Sequence, residues 1–410
     1  DARARVRSRF FGHDDVPVAP SPVAVLKSIA SGGETAIGES ELVAATLLEL
    51  RAVRRRLRSF HLVGSDSDLR TALRVVTSRV AHRFDRYDGR VESAASIESG
   101  RILSPTTLQN YACCPFRYFL SSELGVDVVD EPETRTMIDR RDRGSIVHEV
   151  LERFVSDLID ETGDVDTSDT AEHLAAVAYQ VFGRYERLGR TGAAVLWQRE
   201  KRDLLALLEQ ERLADASRRS EEGRRPIALE WSFGIGDDPP LEIPVGSGNV
   251  AFRGKVDRID RGRNRELLVV DYKTGRSKSF DGLDVDPLDA GRHLQLAVYS
   301  LAVRALVDKD APVSASYRFL DEGGAERTVI LDDDLVAKTS EVVGVIADGV
   351  RAGLFPFNPG EPVWWGTFQN CAYCDFDSVC PPDRDDFWEE ASRDSDLAAY
   401  VALDAGDDDG

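Results

Sequence analysis

The run Leu267-Leu268-Val269-Val270-Asp271-Tyr272-Lys273 is a short, β-branched-rich stretch that closes on alternating charge. Side chains alternate faces along a strand, so the Asp271 carboxylate and the Lys273 ammonium project from one face and can share a site. Upstream, Phe252-Arg253-Gly254-Lys255-Val256-Asp257 ends a neighbouring strand with a second carboxylate, and pairing of the two strands would bring Asp257 beside Asp271. Two carboxylates, a backbone carbonyl and waters make a hard-cation site suited to Mg²⁺ or Mn²⁺. Such an ion polarises a scissile phosphate and lowers the pKa of an attacking water, and Lys273 would orient that water or offset charge on the phosphate. Taken alone, Asp271 and Lys273 read more simply as an exposed ion pair at a strand end. What lifts them above that is the assembly: Gly254-x-x-Asp257, then Asp271-Tyr272-Lys273-Thr274-Gly275, then Gln295-x-x-x-Tyr299, whose side chains lie one turn apart on the following helix.

Outward from this stretch the pattern is α/β. The runs 227–233, 250–259 and 267–272 read as strands bounded by Gly, Pro and Asn. A helix over 293–306, strands over 313–319 and around 328–331, and a helix over 334–352 follow. Before the strands the texture is helical, with helices at 143–159, 171–187 and 194–214 separated by acidic loops such as 160–169. Ser104-Pro105 starts another helix as an N-cap followed by proline. Two amphipathic helices are expected still earlier, from Leu47, Leu50, Val53 and Leu57 and from Leu69, Leu73, Val76 and Val80, with a linker over 96–103. The helix-then-sheet order fits one layered α/β unit, giving a helical segment over 1–100, a main domain over 101–382 and an acidic tail over 383–410.

The 410 residues, 42% of them hydrophobic, can bury a sizeable core. No stretch approaches the roughly twenty consecutive apolar residues that span a membrane, and the first residues, Asp1 to Pro22, lack the apolar run of a signal peptide. The chain reads as a piece of something longer. Its net charge of −21 argues at first sight against a nucleic-acid partner, because such binding draws on Lys and Arg displacing counterions. Only seven of the 52 basic residues are Lys. An acidic, Lys-poor surface suits the very salty cytoplasm of a halophile, where long-range attraction is screened; plain acidic solubility is the alternative. No GxxxxGK[ST] phosphate loop occurs, so any ATP-driven motor sits elsewhere.

With its motifs in this order, the chain resembles the PD-(D/E)XK nuclease superfamily over roughly residues 104 to 382, and within it the branch that terminates the AddB/RecB-type helicase-nucleases. The resemblance implies a restriction-endonuclease-like core, a mixed central sheet flanked by helices and carrying helical insertions. It implies metal-dependent cleavage of DNA, exonuclease-type, at single-stranded or duplex ends during recombinational repair, with a helicase or helicase-like partner or a missing region supplying the motor. Asp257 and Asp271 match the metal-binding acids, Lys273 the catalytic lysine, and Gln295 with Tyr299 the motif that holds the active site and the nucleic acid. Gly144-Ser145-Ile146-Val147-His148-Glu149 looks like the first helix motif, which implies for His148 the role of metal ligand or metal-site partner. Lys255 departs from the Arg common at its position. Two other readings stand beside this one. A stand-alone nuclease of the CRISPR-associated iron-sulfur type is opposed by the helical insertions, and a DNA-end-binding scaffold with a vestigial site by the intact Asp257, Asp271 and Lys273.

Cys371-x-x-Cys374-x5-Cys380 is compact, and Cys114 ahead of Pro115-Phe116 supplies a distant fourth thiol. By chemistry alone a four-cysteine zinc site fits as well. The resemblance implies a [4Fe-4S] cluster on these four cysteines, an iron-sulfur staple joining the start of the domain to its end, with Cys113 left outside the set unless it exchanges with Cys114. Trp364, Trp365, Phe368 and Tyr373 either stack on single-stranded bases or pack over the cluster.

Overall fold

The computed structural model describes residues 71, 74–75, 84–92, 100–127, 136–159, 170–363, 366–381 and 383–405. The chain divides into a unit Asp1–Thr77 and a unit Ser78–Gly410. Of the first, only Thr71, Arg74 and Val75 are described, all helical; the helices expected at 41–57 and 69–80 otherwise lie outside the described residues.

The second unit is built on a mixed five-stranded sheet. In spatial order its strands are β1 (Arg225–Phe233), β4 (Gly254–Arg261), β5 (Leu267–Lys273), β6 (Val313–Phe319) and β7 (Ala325–Ile330), with β5 and β6 parallel and the other pairs antiparallel. Between β1 and β4 in the chain, β2 (Leu241–Val245) and β3 (Gly248–Phe252) form a separate hairpin. Central β5 shows why its sequence is almost uniformly apolar: both of its faces are covered. Leu267 and Val269 enter a core with α1 (Pro105–Cys113), α6 (Gln295–Leu306) and α7 (Asp333–Arg351), while Leu268, Val270 and Tyr272 enter another with α3 (Arg140–Leu158), α4 (Ala171–Arg187) and α5 (Ala194–Glu222). Helix α6 is the crossover that the parallel β5–β6 pair requires.

The termini of these helices follow from side-chain caps. Ser104 accepts from the Thr107 N–H ahead of Pro105, Thr170 from the His173 N–H and Asp332 from the Leu335 N–H. Helix α3 begins three residues earlier than its periodicity predicts, because Asp139 caps it through the Arg141 N–H.

Three sequence expectations need correction. The run 250–259 is two strands, since β3 pairs away from the sheet and the chain breaks at Arg253 before β4. Gly254 opens β4 where a Cβ would lie 2.7 Å from both the Phe233 and Tyr299 rings, so a side chain there has no room. The unit also extends beyond 101–382 at both ends. Residues 89–91 bond to residues 353–355, and within the stretch expected as a tail residues 383–405 carry α8 (Arg384–Ala391) and α9 (Ala398–Ala405), with buried Tyr400 donating its hydroxyl to the Ala112 carbonyl at 3.0 Å. Helix α5 continues to Glu222, eight residues past its expected end. Short α2 (Pro115–Tyr118) follows α1 directly, and β8 (Pro362–Val363) pairs with β9 (Thr367–Phe368) in a small hairpin. Among the described residues no helix is long and apolar enough to cross a membrane.

Candidate active site

The β4–β5 ladder runs from Arg261 opposite Leu267 to Arg258 opposite Val270 and stops there. Asp257 and Asp271 occupy the next step, where the strands separate. Instead of a ladder bond, the Tyr272 N–H donates to Asp257 Oδ2 at 2.8 Å, which pins that carboxylate against the start of the break. Asp271 is buried, 3% exposed. Burial pushes its carboxyl above the usual range; Lys273 opposes that and Asp257 adds to it.

Lys273 projects from the same face as Asp271, as the strand period requires. Its ammonium lies 2.5 Å from Asp271 Oδ2, donates to Gln295 Oε1 at 3.0 Å and sits 4.7 Å from the centre of the Tyr317 ring. Gln295 in turn donates to the Tyr299 hydroxyl at 3.2 Å, so the two residues one turn apart on α6 form a brace behind the lysine. Three different elements, β5, α6 and β6, therefore fix the lysine's position, whereas a surface lysine is left to wander on its flexible stem.

His148 reaches the opposite side of the acid pair from α3. Its Nε2 lies 3.0 Å from the Tyr272 carbonyl and its Nδ1 3.2 Å from Asp257 Oδ1. Burial alone would lower its pKa, but Asp257, Asp271 and Glu230 together carry it to about 9. In this geometry the ring is an imidazolium donating from both nitrogens.

Two contributors are not visible in the sequence. Glu230 on β1 offers an oxygen that lies, with an atom each of His148 and Asp257, in a group whose members are all within 4.8 Å of one another. A lone glutamate in a strand carries no signal of that. Arg143 clamps the exit of β5: it donates to the Thr274 carbonyl at 3.3 Å and pairs with Glu200 at 2.8 Å and Asp321 at 2.9 Å. His148, Glu230 and Lys255 open onto a cleft of about 730 Å³, whose walls also carry Arg140, Arg141 and Arg153.

The cysteines meet elsewhere in the fold. Cys114, Cys371, Cys374 and Cys380 line one cavity with Phe116, Asn358 and Arg384, and Cys113 does not line it. Burial pushes the Cys114 thiol up to about 11, against N–H groups of Asn358, Arg117 and Phe116 directed at its sulfur, and pushes Cys380 up to about 12. Tyr373, 77% exposed, extends from this segment to Arg140, whose guanidinium carbon is 5.8 Å from its ring centre. Trp364 and Trp365 lie outside the described residues.

The family model described as the PD-(D/E)XK nuclease superfamily matches residues 102–381. An ATP-dependent helicase/deoxyribonuclease component from Moorella thermoacetica is 32% identical over 222 residues, covering 50% of this chain and 18% of that protein. The protein of the same name from Lacticaseibacillus casei is 31% identical over 272 residues, 62% of this chain and 22% of its own length. The chain thus spans about a fifth of the length of these relatives.

Proposed function

The chain belongs to the PD-(D/E)XK nuclease superfamily, and on that premise we propose that it is a metal-dependent deoxyribonuclease that hydrolyses phosphodiester bonds at DNA ends, as the cutting part of a larger helicase-nuclease. The observation that carries this reading is the strand-end pair Asp257 and Asp271 with Lys273 braced beside it by Gln295 and Tyr317. Asp257 and Asp271 offer two carboxylates, which suit Mg²⁺ or Mn²⁺, and His148 would add a third donor once the ion displaces the proton on Nδ1. When bound, that cation would polarise the scissile phosphate and make water a better nucleophile at neutral pH.

The chain's own groups divide the remaining work. Lys273, held on Asp271, Gln295 and the Tyr317 ring, turns its charge toward the phosphate oxygen or the attacking water. Gln295 and Tyr299 hold that ammonium in place. The cleft beside His148, with Arg140, Arg141, Arg153 and Lys255 on its walls, offers a path for a phosphate backbone. These contacts are local, which reconciles DNA binding with a net charge of −21; strong salt screens the distant acid while short-range pairs persist.

The convergence of Cys114, Cys371, Cys374 and Cys380, with backbone N–H groups directed at Cys114, supports a metal-thiolate centre. We assign it as a [4Fe-4S] cluster, a staple between α1 and the segment after α7. The motor, and with it the partner, belongs to the part of the machine that corresponds to the rest of the relatives' length.

The test is cleavage of labelled linear single- and double-stranded DNA in high salt with Mg²⁺ or Mn²⁺. Wild type should cut only with the ion, and Asp271→Ala and Lys273→Ala should not cut; equal activity in Asp271→Ala would sink the assignment. Anaerobically purified protein should carry a brown chromophore lost in Cys374→Ser, whereas colourless protein with stoichiometric zinc would replace the cluster by zinc.

A further inference from the structure

The segment between Cys371 and Cys380 holds two aromatic residues, Tyr373 and Phe376, and the fold uses them differently. Phe376 is 9% exposed and lines the cavity where the four cysteines meet. Tyr373 lies outside that cavity and is 77% exposed. Packing over the thiolates is therefore the work of Phe376, and burial gives Tyr373 no part in the core.

The exposed ring is nonetheless held by a tied backbone. Residues 369–373 form a turn in which the Cys371 and Ala372 N–H groups donate to the Phe368 carbonyl at 3.1 and 3.0 Å, and the Cys374 N–H to the Cys371 carbonyl at 3.1 Å. Asn370 anchors the turn by donating to the carbonyls of Cys113, at 2.7 Å, and Asn358, at 3.2 Å. From this support the Tyr373 ring reaches Arg140, whose guanidinium carbon is 5.8 Å from the ring centre. Arg140 is also a wall residue of the cleft onto which His148 opens. It begins α3, and His148 follows on the same helix, so the rise of about 1.5 Å per residue separates the two by about 12 Å. That is the length of roughly three or four nucleotides stacked about 3.4 Å apart.

We propose that Tyr373 is a stacking platform for an unpaired base of single-stranded DNA, roughly three or four nucleotides from the bond that is cut, with Arg140 beside it on a phosphate. An exposed aromatic ring at the end of a groove with basic walls is the combination that holds single strands, because every base has a face to stack and the groove follows the backbone. Stacking also answers the charge problem. It draws nothing from counterion release, so it adds affinity that a chain of net charge −21 cannot take from its distant surface. A base inside a duplex has both faces occupied by its neighbours, so the platform favours a single strand over a paired end. The inference rests on the nuclease reading above and names the form of DNA that the cleft takes.

The test is binding without cleavage. The full chain, with divalent ions chelated, is titrated into a short single strand of thymidines that carries one 2-aminopurine, moved base by base along the strand, and into a blunt duplex. Wild type should quench the fluorescent base at one position. Tyr373→Ala should abolish that quenching and weaken single-strand binding by about 10-fold, with a smaller loss on the duplex and an unchanged unfolding midpoint. Tyr373→Phe, which keeps the ring, should behave as wild type. The ratio between wild type and Tyr373→Ala should hold from low to high salt, because stacking carries no charge, while the phosphate contacts weaken in both. Quenching and affinity retained in Tyr373→Ala would overturn the role of Tyr373, as would a Tyr373→Phe protein as weak as Tyr373→Ala or a ratio that vanishes in high salt. Wild-type protein that binds neither single strand nor duplex would overturn the nuclease reading itself, a result that does not involve Tyr373.

Discussion

The two faces of the sheet around β5 both bury charge, and they do so to opposite ends. On the α5 face, Arg258 of β4 and Arg318 of β6 are 1% and 0% exposed. Arg258 pairs with Asp215 at 2.8 Å and Asp260 at 2.6 Å; Arg318 pairs with Glu211 at 3.0 Å and Glu326 at 2.8 Å. Arg218 and Arg219 complete the set on Glu211 and Asp215, so guanidiniums and carboxylates are matched in number. On the site side, among the described residues, Asp271 pairs with Lys273 and Glu230 with Lys255, while Asp257 has the titratable His148. The carboxyls record the difference. Asp215 is pushed up by burial yet ends below the usual range because Arg258, Arg318 and Arg219 outweigh it. Asp271 is pushed up by burial too, and one lysine with an acid neighbour does not bring it back. Compensated charge cross-links elements; on the site side three acids face two lysines, and the balance rests on the proton of His148 or on a cation in its place.

Removing a group from each side separates these roles. Asp271→Ala should lower DNA cleavage by about 10⁴-fold, roughly 5 kcal/mol of barrier, with the chemical-denaturation midpoint held or raised, since a buried acid whose desolvation Lys273 does not fully offset is gone. Arg318→Met should do the reverse. It leaves buried Glu211 to Arg218 alone and should cost about 4 kcal/mol of unfolding free energy, while residual folded protein keeps its cleavage rate per molecule. Adding Glu211→Leu to Arg318→Met should recover more than half of that loss. A stable Arg318→Met protein would mean that the network is hydrated and contributes little.

How far the sequence announces the two faces differs in the same way. Strand β5 and the pairing of Asp257 with Asp271 are legible because period-two alternation and strand pairing are local rules, and Gln295 with Tyr299 because a helix puts them on one side. The ends of α4 are readable from its periodicity. The β2–β3 hairpin is hidden because an unbroken apolar-rich run conceals the break at Arg253, where the pairing partner changes from β2 to β1. The inner face of α5 is hidden as well. Glu211, Asp215, Arg218 and Arg219 look like a solvated helix face, since their partners Arg258 and Arg318 come from strands that follow much later in the chain. Glu230 depends on two strands and a helix meeting, and no local pattern carries that.

The smallest effect is the most diagnostic of the acid surplus. In protein kept free of divalent ions by a chelator, His148 is the group that answers the excess charge: Asp257, Asp271 and Glu230 overcome burial and raise its pKa to about 9, against about 6.5 in an unfolded chain. A folded-state pKa above the unfolded one means that the folded protein holds the proton more tightly. The associated stability is therefore fully present below about pH 6.5 and is lost as pH rises through about 9, a change on the order of 2 kcal/mol. Denaturant unfolding at pH 6 and at pH 9.5 should show that fall in wild type and a smaller one in His148→Gln. Saturating Mg²⁺ should shrink the wild-type fall as well, because a cation ligated by the same acids removes the field that holds the proton. The matched network on the opposite face has no titrating cation, and Arg318→Met should leave the pH difference unchanged even as it lowers stability at both ends. A wild-type fall equal to that of His148→Gln would mean that the acids do not converge on the histidine, and the contrast between the two faces would collapse with it.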